Sequence, residues 1–244
     1  MLETLTTLQL ISSFIIILLA FTVRGITGFG SGLIAIPLLA IMLPVSVVVP
    51  MIGILDYTAA LSHGVKLRAD IYWKQILPLL PFSLIGVLLA IYLFNTLDPQ
   101  LLKKSLGAFV IFYALHSILT IKPHTHRSFF WALPGGIFGG LIGTLFGTGG
   151  PFYIIYLQLQ GLGKTAFRAT IATILLLDGT ARIIAYTMND FYSIDTLMLV
   201  VAGMPVMIIG MYVGGYIHTN ITQKTMQKGI GVLLLFSGSA LIFK

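Results

Sequence analysis

The chain has 244 residues, of which 57% are apolar and only 9% are charged, and its 14 basic and 7 acidic residues give a net charge of +7. Because soluble domains carry about 25% charged residues and must present polar groups to water, this composition excludes a soluble enzyme, a nucleic-acid-binding module and a disordered chain. It predicts an all-α integral membrane protein that contacts the lipid bilayer and has no nucleic-acid partner. Without cysteine in the sequence, disulfides, thiolate metal sites and transfer of sulfur through a protein thiol are excluded as well.

Ten apolar segments follow one another along the chain, and most approach the ~20 residues needed to cross ~30 Å of hydrocarbon. The first basic residue, Arg24, comes only near the end of the first segment, the reverse of the order in a cleaved signal peptide, so we expect a retained helix. Two segments are short, and each follows a glycine-rich stretch, which predicts one short broken helix in each half of the chain. The segments span 5–27, 33–43, 45–63, 71–94, 101–121, 129–146, 151–162, 166–187, 195–217 and 225–243.

The two halves of the chain resemble each other in an ordered series of matches. They predict a first membrane repeat at 1–121, a polar link at 122–128 and a second membrane repeat at 129–244, each repeat with about five helical segments. Internal repeats are a hallmark of secondary transporters. The matches are residues 27–32 with 144–149, Asp56 with Asp178, and Pro81, Gly86, Tyr92, Lys104 and Gly107 with Pro205, Gly210, Tyr216, Lys228 and Gly231.

The basic residues predict how the repeats insert, because Lys and Arg collect on the cytoplasmic side of a membrane. Four spans per half place five on one side and seven on the other and leave Lys164 and Arg168 within a span, whereas five segments per half place ten on one side and four on the other. The second division fits the rule. Since five is odd, the two halves then insert in opposite orientations, as inverted repeats with both termini outside. The predicted location is the inner membrane of a bacterial cell.

Two glycine-rich turns precede the short helices, and we predict that both contact the substrate. Glycines let backbone N–H groups approach a ligand, and a helix N-terminus favours negative charge. Ser31 and Thr148 are expected to cap free N–H groups, and Pro151 suits a first helical turn. Arg24 is either a further anion contact or a cytoplasmic anchor. The predicted substrate-binding residues are Arg24, Gly28, Phe29, Gly30, Ser31, Gly32, Gly147, Thr148, Gly149, Gly150 and Pro151.

Helix packing is the alternative explanation for glycine in this chain. Small residues four apart let two membrane helices approach closely. Such ridges occur at Gly135, Gly139, Gly143 and Gly147, at Gly28 with Gly32, and at Gly210 with Gly214. For the ridges, packing is the favoured interpretation.

The pairing of residues 25–32 (GITGFGSG) with 140–151 (GLIGTLFGTGGP) resembles the sulfite exporter TauE/SafE family of membrane proteins. The resemblance covers nearly the whole chain. It implies transport, often export, of small sulfur-containing or carboxylate anions such as sulfite and organosulfonates. The first turn carries Leu33-Ile34 where the second carries Gly150-Pro151, so the two turns need not contribute equally.

Two acids, Asp56 and Asp178, lie within apolar segments at matching positions. An ionisable residue inside a membrane segment marks a functional site by default. Either acid can carry a coupling proton or position a glycine turn. For Asp178, Arg182 at i+4 offers a simple neutralising partner.

Other polar residues have weaker claims. Thr58, Thr180, Gln158 and Gln160 can donate to an oxyanion or bond within their own helices, and packing is favoured for Tyr153 and Tyr156. Residues 161–165 (GLGKT) lack the glycine needed for a phosphate loop, and His124 with His126 has no further ligands for a metal. Tyr72, Trp73 and Trp131 are typical of the aromatic belts at span ends.

The sequence therefore favours a secondary transporter of small anions, without enzymatic activity, cofactor or metal. The alternatives are a passive anion channel or membrane assembly subunit and an intramembrane aspartyl enzyme, in which two carboxylates share a proton. The sequence leaves open a homo-oligomer, and coupling to a proton or another cation.

Overall fold

The computed structural model describes residues 6–27, 30–64, 70–119, 129–217 and 223–243. Within these ranges the chain is all-helical, which confirms the predicted fold class. Each predicted apolar segment coincides with one α-helix. The helices are α1 (Thr7–Thr27), α2 (Ser31–Ala40), α3 (Val45–Gly64), α4 (Trp73–Thr96), α5 (Pro99–Leu119), α6 (Ala132–Phe146), α7 (Gly150–Leu159), α8 (Lys164–Met188), α9 (Ile194–Tyr216) and α10 (Gln223–Phe243), with a 3-10 helix (Phe129–Trp131) before α6.

Within the part of the chain that the structure describes, four helices are long and apolar enough to cross a membrane: α1, α4, α8 and α9. The outward face of α1 illustrates how they meet lipid. Leu8, Ile11, Ile15 and Leu19 recur every three or four residues and are each more than half exposed. A continuous apolar stripe of this kind is stable only against hydrocarbon.

The described residues divide into two compact units. The first comprises Met1–Leu55, Leu97–Ile121 and Tyr192–Lys244, in which α1 packs against α9 and α5 against α10. Glycines on α9 allow the close approach to α1. A Cβ at Gly210 would lie 2.8 Å from the carbonyl oxygen of Leu18, and a Cβ at Gly214 would overlap the carbonyl oxygen of Thr22. The packing role predicted for this pair is confirmed.

The second unit comprises Asp56–Thr96 and Lys122–Phe191, in which α4 packs against α6 and α8. A Cβ at Gly86 of α4 would overlap the carbonyl oxygen of Ile137 on α6, and one at Gly140 of α6 would overlap that of Ser83. A hydrophobic cluster lies inside this unit, next to buried polar residues such as Ser83 and Asp178. It consists of Ile76, Leu79, Ala132, Tyr153, Tyr156, Leu157 and Ile174.

Each unit takes helices from both halves of the sequence. In each, the first helix of one half packs against the fourth helix of the other, as α1 with α9 and α6 with α4. Gly86 and Gly210, which align in the repeat, make corresponding backbone approaches. These equivalences support a duplicated fold, while the opposite insertion of the two halves and the division at 122–128 stay predictions.

Helices α6 and α7 form an antiparallel hairpin. Gly135 faces the side chain of Tyr156, Gly139 faces Tyr153, and Gly143 faces Gly149. The positions rise along α6 as they fall along α7, so α7 returns towards the end where α6 began. With 15 and 10 residues at about 1.5 Å each, α6 and α7 rise only about 22 and 15 Å, less than ~30 Å of hydrocarbon. The predicted glycine ridge on α6 is therefore a packing surface for α7.

Candidate anion site

The turn between α6 and α7 holds the second predicted glycine motif. Gly147 has a φ of +64°, a left-handed conformation that favours glycine. Pro151 lies in the first turn of α7, as predicted. The residue that caps α7 is Gly149, and no side chain makes a capping hydrogen bond there. The prediction that Thr148 caps this helix is wrong, because Gly149 occupies the cap position and the Thr148 hydroxyl makes no hydrogen bond to the helix.

Two threonines at this turn have buried hydroxyls with no hydrogen-bond partner among the described residues. Thr144 is fully buried and Thr148 is 3% exposed, and each Oγ1 is unpaired. A buried hydroxyl without a partner costs about 1–3 kcal/mol, and most buried polar groups in proteins are paired. Two such hydroxyls, four residues apart and beside a helix N-terminus without a side-chain cap, make this turn the candidate for contact with a polar ligand.

A buried polar network lies next to the turn, centred on Asp178 of α8, which is 1% exposed. Its Oδ1 accepts hydrogen bonds from Ser83 Oγ at 2.8 Å and from the Tyr153 hydroxyl at 2.6 Å. These partners belong to α4 and α7, so one carboxylate connects three helices.

Arg182 completes the network. Its Nε lies 3.0 Å from Asp178 Oδ2, so the two side chains form an ion pair. The Nε–H group does not point at the oxygen well enough to form a hydrogen bond. Its Nη1 donates to the carbonyl oxygen of Gly143 on α6 at 2.8 Å. The neutralising partner predicted for Asp178 at i+4 is thus confirmed.

Gly143 brings the network and the turn together. A Cβ at this position would lie 3.5 Å from Asp178 Oδ2 and 3.5 Å from the backbone nitrogen of Gly149. The carboxylate and the start of α7 therefore border the same small space, which remains open because position 143 has no side chain. The Tyr186 hydroxyl donates to the carbonyl oxygen of Thr144 and fastens the end of α6 to α8.

The second predicted acid, Asp56, is half-buried on α3 in this same unit. Its neighbour Tyr57 shares a 3.0 Å hydroxyl contact with Thr180 of α8. Thr180 also donates to the carbonyl oxygen of Leu176 in its own helix. The Thr180 hydroxyl therefore bonds within its own helix, which was one of the two predicted alternatives, and also links α8 to α3 through Tyr57.

The remaining polar candidates lie elsewhere. Gln158 is exposed, Gln160 is buried just beyond α7, and Thr58 is half-buried. The hydroxyl of Tyr156 donates to Gln75 Oε1 at 2.8 Å. The packing interpretation of Tyr153 and Tyr156 holds for their rings, while both hydroxyls make specific polar contacts. Among the described residues no cluster of three or more His, Asp or Glu is placed to hold a metal ion.

The first glycine turn belongs to the other unit. Gly30 has a φ of +96° and occupies the cap position of α2, so Ser31 is the first residue of the helix and its prediction as the cap is wrong. Arg24 Nη1 donates to Ser31 Oγ at 3.0 Å, which favours the interpretation of Arg24 as part of the turn. Gly32 is buried in α2, whereas Gly28 and Phe29 lie outside the described residues.

Sequence reasoning missed Ser83, Thr144 and Tyr186. Ser83 carried a usable signal, because it is the only serine or threonine in the apolar segment 71–94, where a hydroxyl needs a partner. The roles of Thr144 and Tyr186 depend on the packing of α6 against α8, which no local pattern indicates.

Residues 13–241 match the family described as sulfite exporter TauE/SafE. The chain belongs to the sulfite exporter TauE/SafE family. It is similar to a Cupriavidus necator protein named "Probable sulfite/organosulfonate exporter TauE", with 25% identity over 233 residues that cover 90% of this chain and 88% of the relative. It is also similar to the Comamonas testosteroni "Probable inner membrane transporter protein TsaS", with 23% identity over 195 residues covering 78% and 81%. No solved structure matches the chain significantly.

Membership in the TauE/SafE family decides between the function classes left by the sequence. The chain is a multi-pass membrane transporter of an anion-transporting family and not an intramembrane enzyme. Of the two acids that motivated the enzyme alternative, Asp178 is paired with Arg182.

Proposed function

We propose that this TauE/SafE protein is a secondary transporter that exports sulfite, organosulfonates or related small carboxylate anions across a bacterial inner membrane. The family, the relative named for sulfite and organosulfonate export, and the relative named as an inner membrane transporter support this function. The driving force is an ion gradient or the gradient of the substrate itself.

The observation that carries the proposal is the pair of unpaired hydroxyls at the turn between α6 and α7, one in the last turn of α6 and one just before α7. Thr144 and Thr148 each offer one buried O–H donor, and the first N–H groups of α7 have no side-chain cap. An oxyanion has several acceptor oxygens and can satisfy all these donors at once. Because α6 is too short to cross the hydrocarbon, this turn lies within the depth of the membrane, where transporters bind their substrates.

The charges of the side chains beside the turn nearly cancel, which favours reversible binding of an anion over permanent binding. The positive charge of Arg182 is compensated by Asp178 at 3.0 Å, so the anion meets mainly hydroxyl and backbone dipoles. Binding of this kind replaces part of the hydration shell without a full opposite charge. A transported ion must bind well enough to enter and weakly enough to leave.

The first glycine turn has a corresponding role in our proposal, within its own unit. Gly30 caps α2 as Gly149 caps α7, and Arg24 adds a charged donor that already contacts Ser31. We assign Arg24 and this turn to substrate contact as well. Gly149, Gly150 and Pro151 contribute backbone geometry at the second turn.

The two acids receive different assignments. Asp178 is engaged by Ser83, Tyr153 and Arg182, and we assign it to positioning the start of α7. We assign Asp56, which is half-buried on α3, to carrying a coupling proton.

Reconstituted liposomes test the function directly. Purified protein is placed in liposomes loaded with sulfite, thiosulfate, sulfoacetate or a small carboxylate, and efflux is measured against external concentration. We expect saturable flux and exchange for at least one sulfur oxyanion. Flux without saturation would support the passive channel, and absence of flux for every anion would reject the proposal.

A further inference from the structure

A cavity of about 480 Å³ lies in the second unit, at the end of α7 away from the glycine turn. Its volume is typical of pockets that hold small molecules, about 300–1,000 Å³. The wall includes Tyr72, Lys74 and Gln75 from the start of α4 and Gln160, Gly161 and Gly163 from the connection between α7 and α8. Because α7 rises about 15 Å, this cavity is separate from the turn at 147–149.

The charge around the cavity favours an anion. Lys74 is the charged residue among the described residues of the wall. Helices α4 and α8 both begin at the wall, at Trp73 and Lys164, and helix N-termini carry partial positive charge. The C-terminus of α7, which also reaches the wall, carries partial negative charge.

The wall also offers neutral polar groups. Oε1 of Gln75 accepts a 2.8 Å hydrogen bond from the Tyr156 hydroxyl. The other end of the amide, its N–H₂ group, is a donor that this bond does not use. Gln160 is only 7% exposed, and Gly161, with a φ of +66°, turns the backbone around the cavity. An ammonium group with amide donors is the chemistry that binds sulfonate and phosphate groups.

Aromatic residues place the cavity at the level of the membrane surface. Tyr72, Trp73 and Trp131 are 48%, 49% and 45% exposed. They lie at the starts of α4 and α6, where the sequence predicted an aromatic belt. Tyrosine and tryptophan concentrate at the membrane–water interface, so both soluble anions and lipid headgroups reach this depth.

We propose that this cavity is a second anion site, which binds a sulfonate or phosphate group through Lys74 and the amide of Gln75. The group comes either from a soluble organosulfonate or from the headgroup of an anionic phospholipid. The site does not depend on the function proposed for the glycine turns.

The fluorescence of Trp73 can report binding in the cavity, because Trp73 lies between the wall residues Tyr72 and Lys74 and the chain contains only one other tryptophan. A Trp131→Phe protein in phosphatidylcholine nanodiscs is titrated with sulfoacetate, and Trp73 fluorescence is recorded. A second arm compares discs with and without phosphatidylglycerol. We expect a saturable change in at least one arm, and the arm that responds identifies the source of the group.

Variants of Lys74 decide whether the cavity is responsible. Lys74→Gln should weaken the response at least about tenfold, because a charge-assisted hydrogen bond is lost, while Lys74→Arg should keep it within about threefold. Lys104→Gln, at an exposed lysine of α5, is the matched control and should have no effect. The proposal is overturned if neither arm responds, if Lys74→Gln responds like the parent, or if Thr148→Val abolishes the signal, since the signal would then arise at the glycine turn.

Discussion

The Tyr153 hydroxyl of α7 donates a 2.6 Å hydrogen bond to Oδ1 of Asp178 on α8. Tyr153 is fully buried and lies in the first turn of α7. Since the same Oδ1 accepts from Ser83 of α4, the start of α7 is held against two neighbouring helices by one carboxylate. The geometry of the glycine turn therefore depends on a buried acid.

Replacing Asp178 should destabilise the protein. Asp178→Asn removes the counter-charge of Arg182, whose side chain is only 15% exposed, and breaking a buried ion pair costs about 3–5 kcal/mol. We expect the thermal midpoint in detergent to fall by roughly 10 °C. Asp190→Asn is the control, because Asp190 is exposed with a φ of 56° that asparagine also tolerates.

The double variant Asp178→Asn with Arg182→Gln tests whether the instability of Asp178→Asn comes from the unpaired charge of Arg182. It removes the unpaired charge together with its partner, so part of the stability should return. A double variant as unstable as Asp178→Asn alone would contradict the ion-pair explanation.

Thr148→Val should separate stability from transport. The side chain keeps its shape but loses a hydroxyl that has no partner among the described residues, so the free energy of unfolding should stay equal or rise by up to about 1–3 kcal/mol. Sulfite or sulfoacetate flux in liposomes should fall about tenfold or more, because an anion donor is removed. Thr173→Val, whose hydroxyl donates to Ala169 in its own helix, should transport normally. Parental flux in Thr148→Val would remove this hydroxyl from the site.

Gly214 and Gly215 are neighbours on α9 that should respond oppositely to alanine. A Cβ at Gly214 would overlap the carbonyl oxygen of Thr22, whereas nothing lies within 4 Å of a Cβ at Gly215. Gly214→Ala should cost about 1–3 kcal/mol by separating α1 from α9. Gly215→Ala should gain about 0.5–1 kcal/mol in helix propensity. Thermal denaturation of both variants checks this, and equal midpoints would argue against the packing of α1 on α9.

Asp56→Asn tests the proposed coupling proton. Asparagine cannot carry the proton, so accumulation of anion driven by an imposed pH gradient should be lost, while exchange without a gradient should persist. Liposome flux with and without a pH difference measures both, with Asp190→Asn as the control. If the variant retains the pH dependence of the parent, Asp56 has no coupling role.

Single cysteines test the predicted topology, since the parent chain has none to remove. Lys74 and Lys104 lie near the starts of α4 and α5 and are separated by α4. An impermeant maleimide added to intact cells should label Lys104→Cys and reach Lys74→Cys only after permeabilisation. Labelling of both from one side would refute the inverted arrangement.

The helices could be predicted because membrane segments are long, apolar and separated by polar or glycine-rich breaks. The end of a short helix was harder to predict: α2 stops at Ala40, but residues 41–43 are apolar too, so hydropathy alone does not mark the end. The pairing of Asp178 with Arg182 followed from helical spacing. The contact between Ser83 and Asp178 spans 95 positions and depends on how α4 packs, so the sequence did not reveal it.

The exchange of helices between the two halves determines when the protein can assemble. The packing partner of α1 is α9, and that of α4 is α6, so a nascent chain that has emerged only through α5 has neither. Until translation supplies α6 and α9, the glycine face of α4 and the α9-facing side of α1 remain against lipid, although α1 can already pack on α2. Premature termination midway should therefore yield no stable half-transporter, and a chaperone that shields unassembled membrane helices would act during that interval.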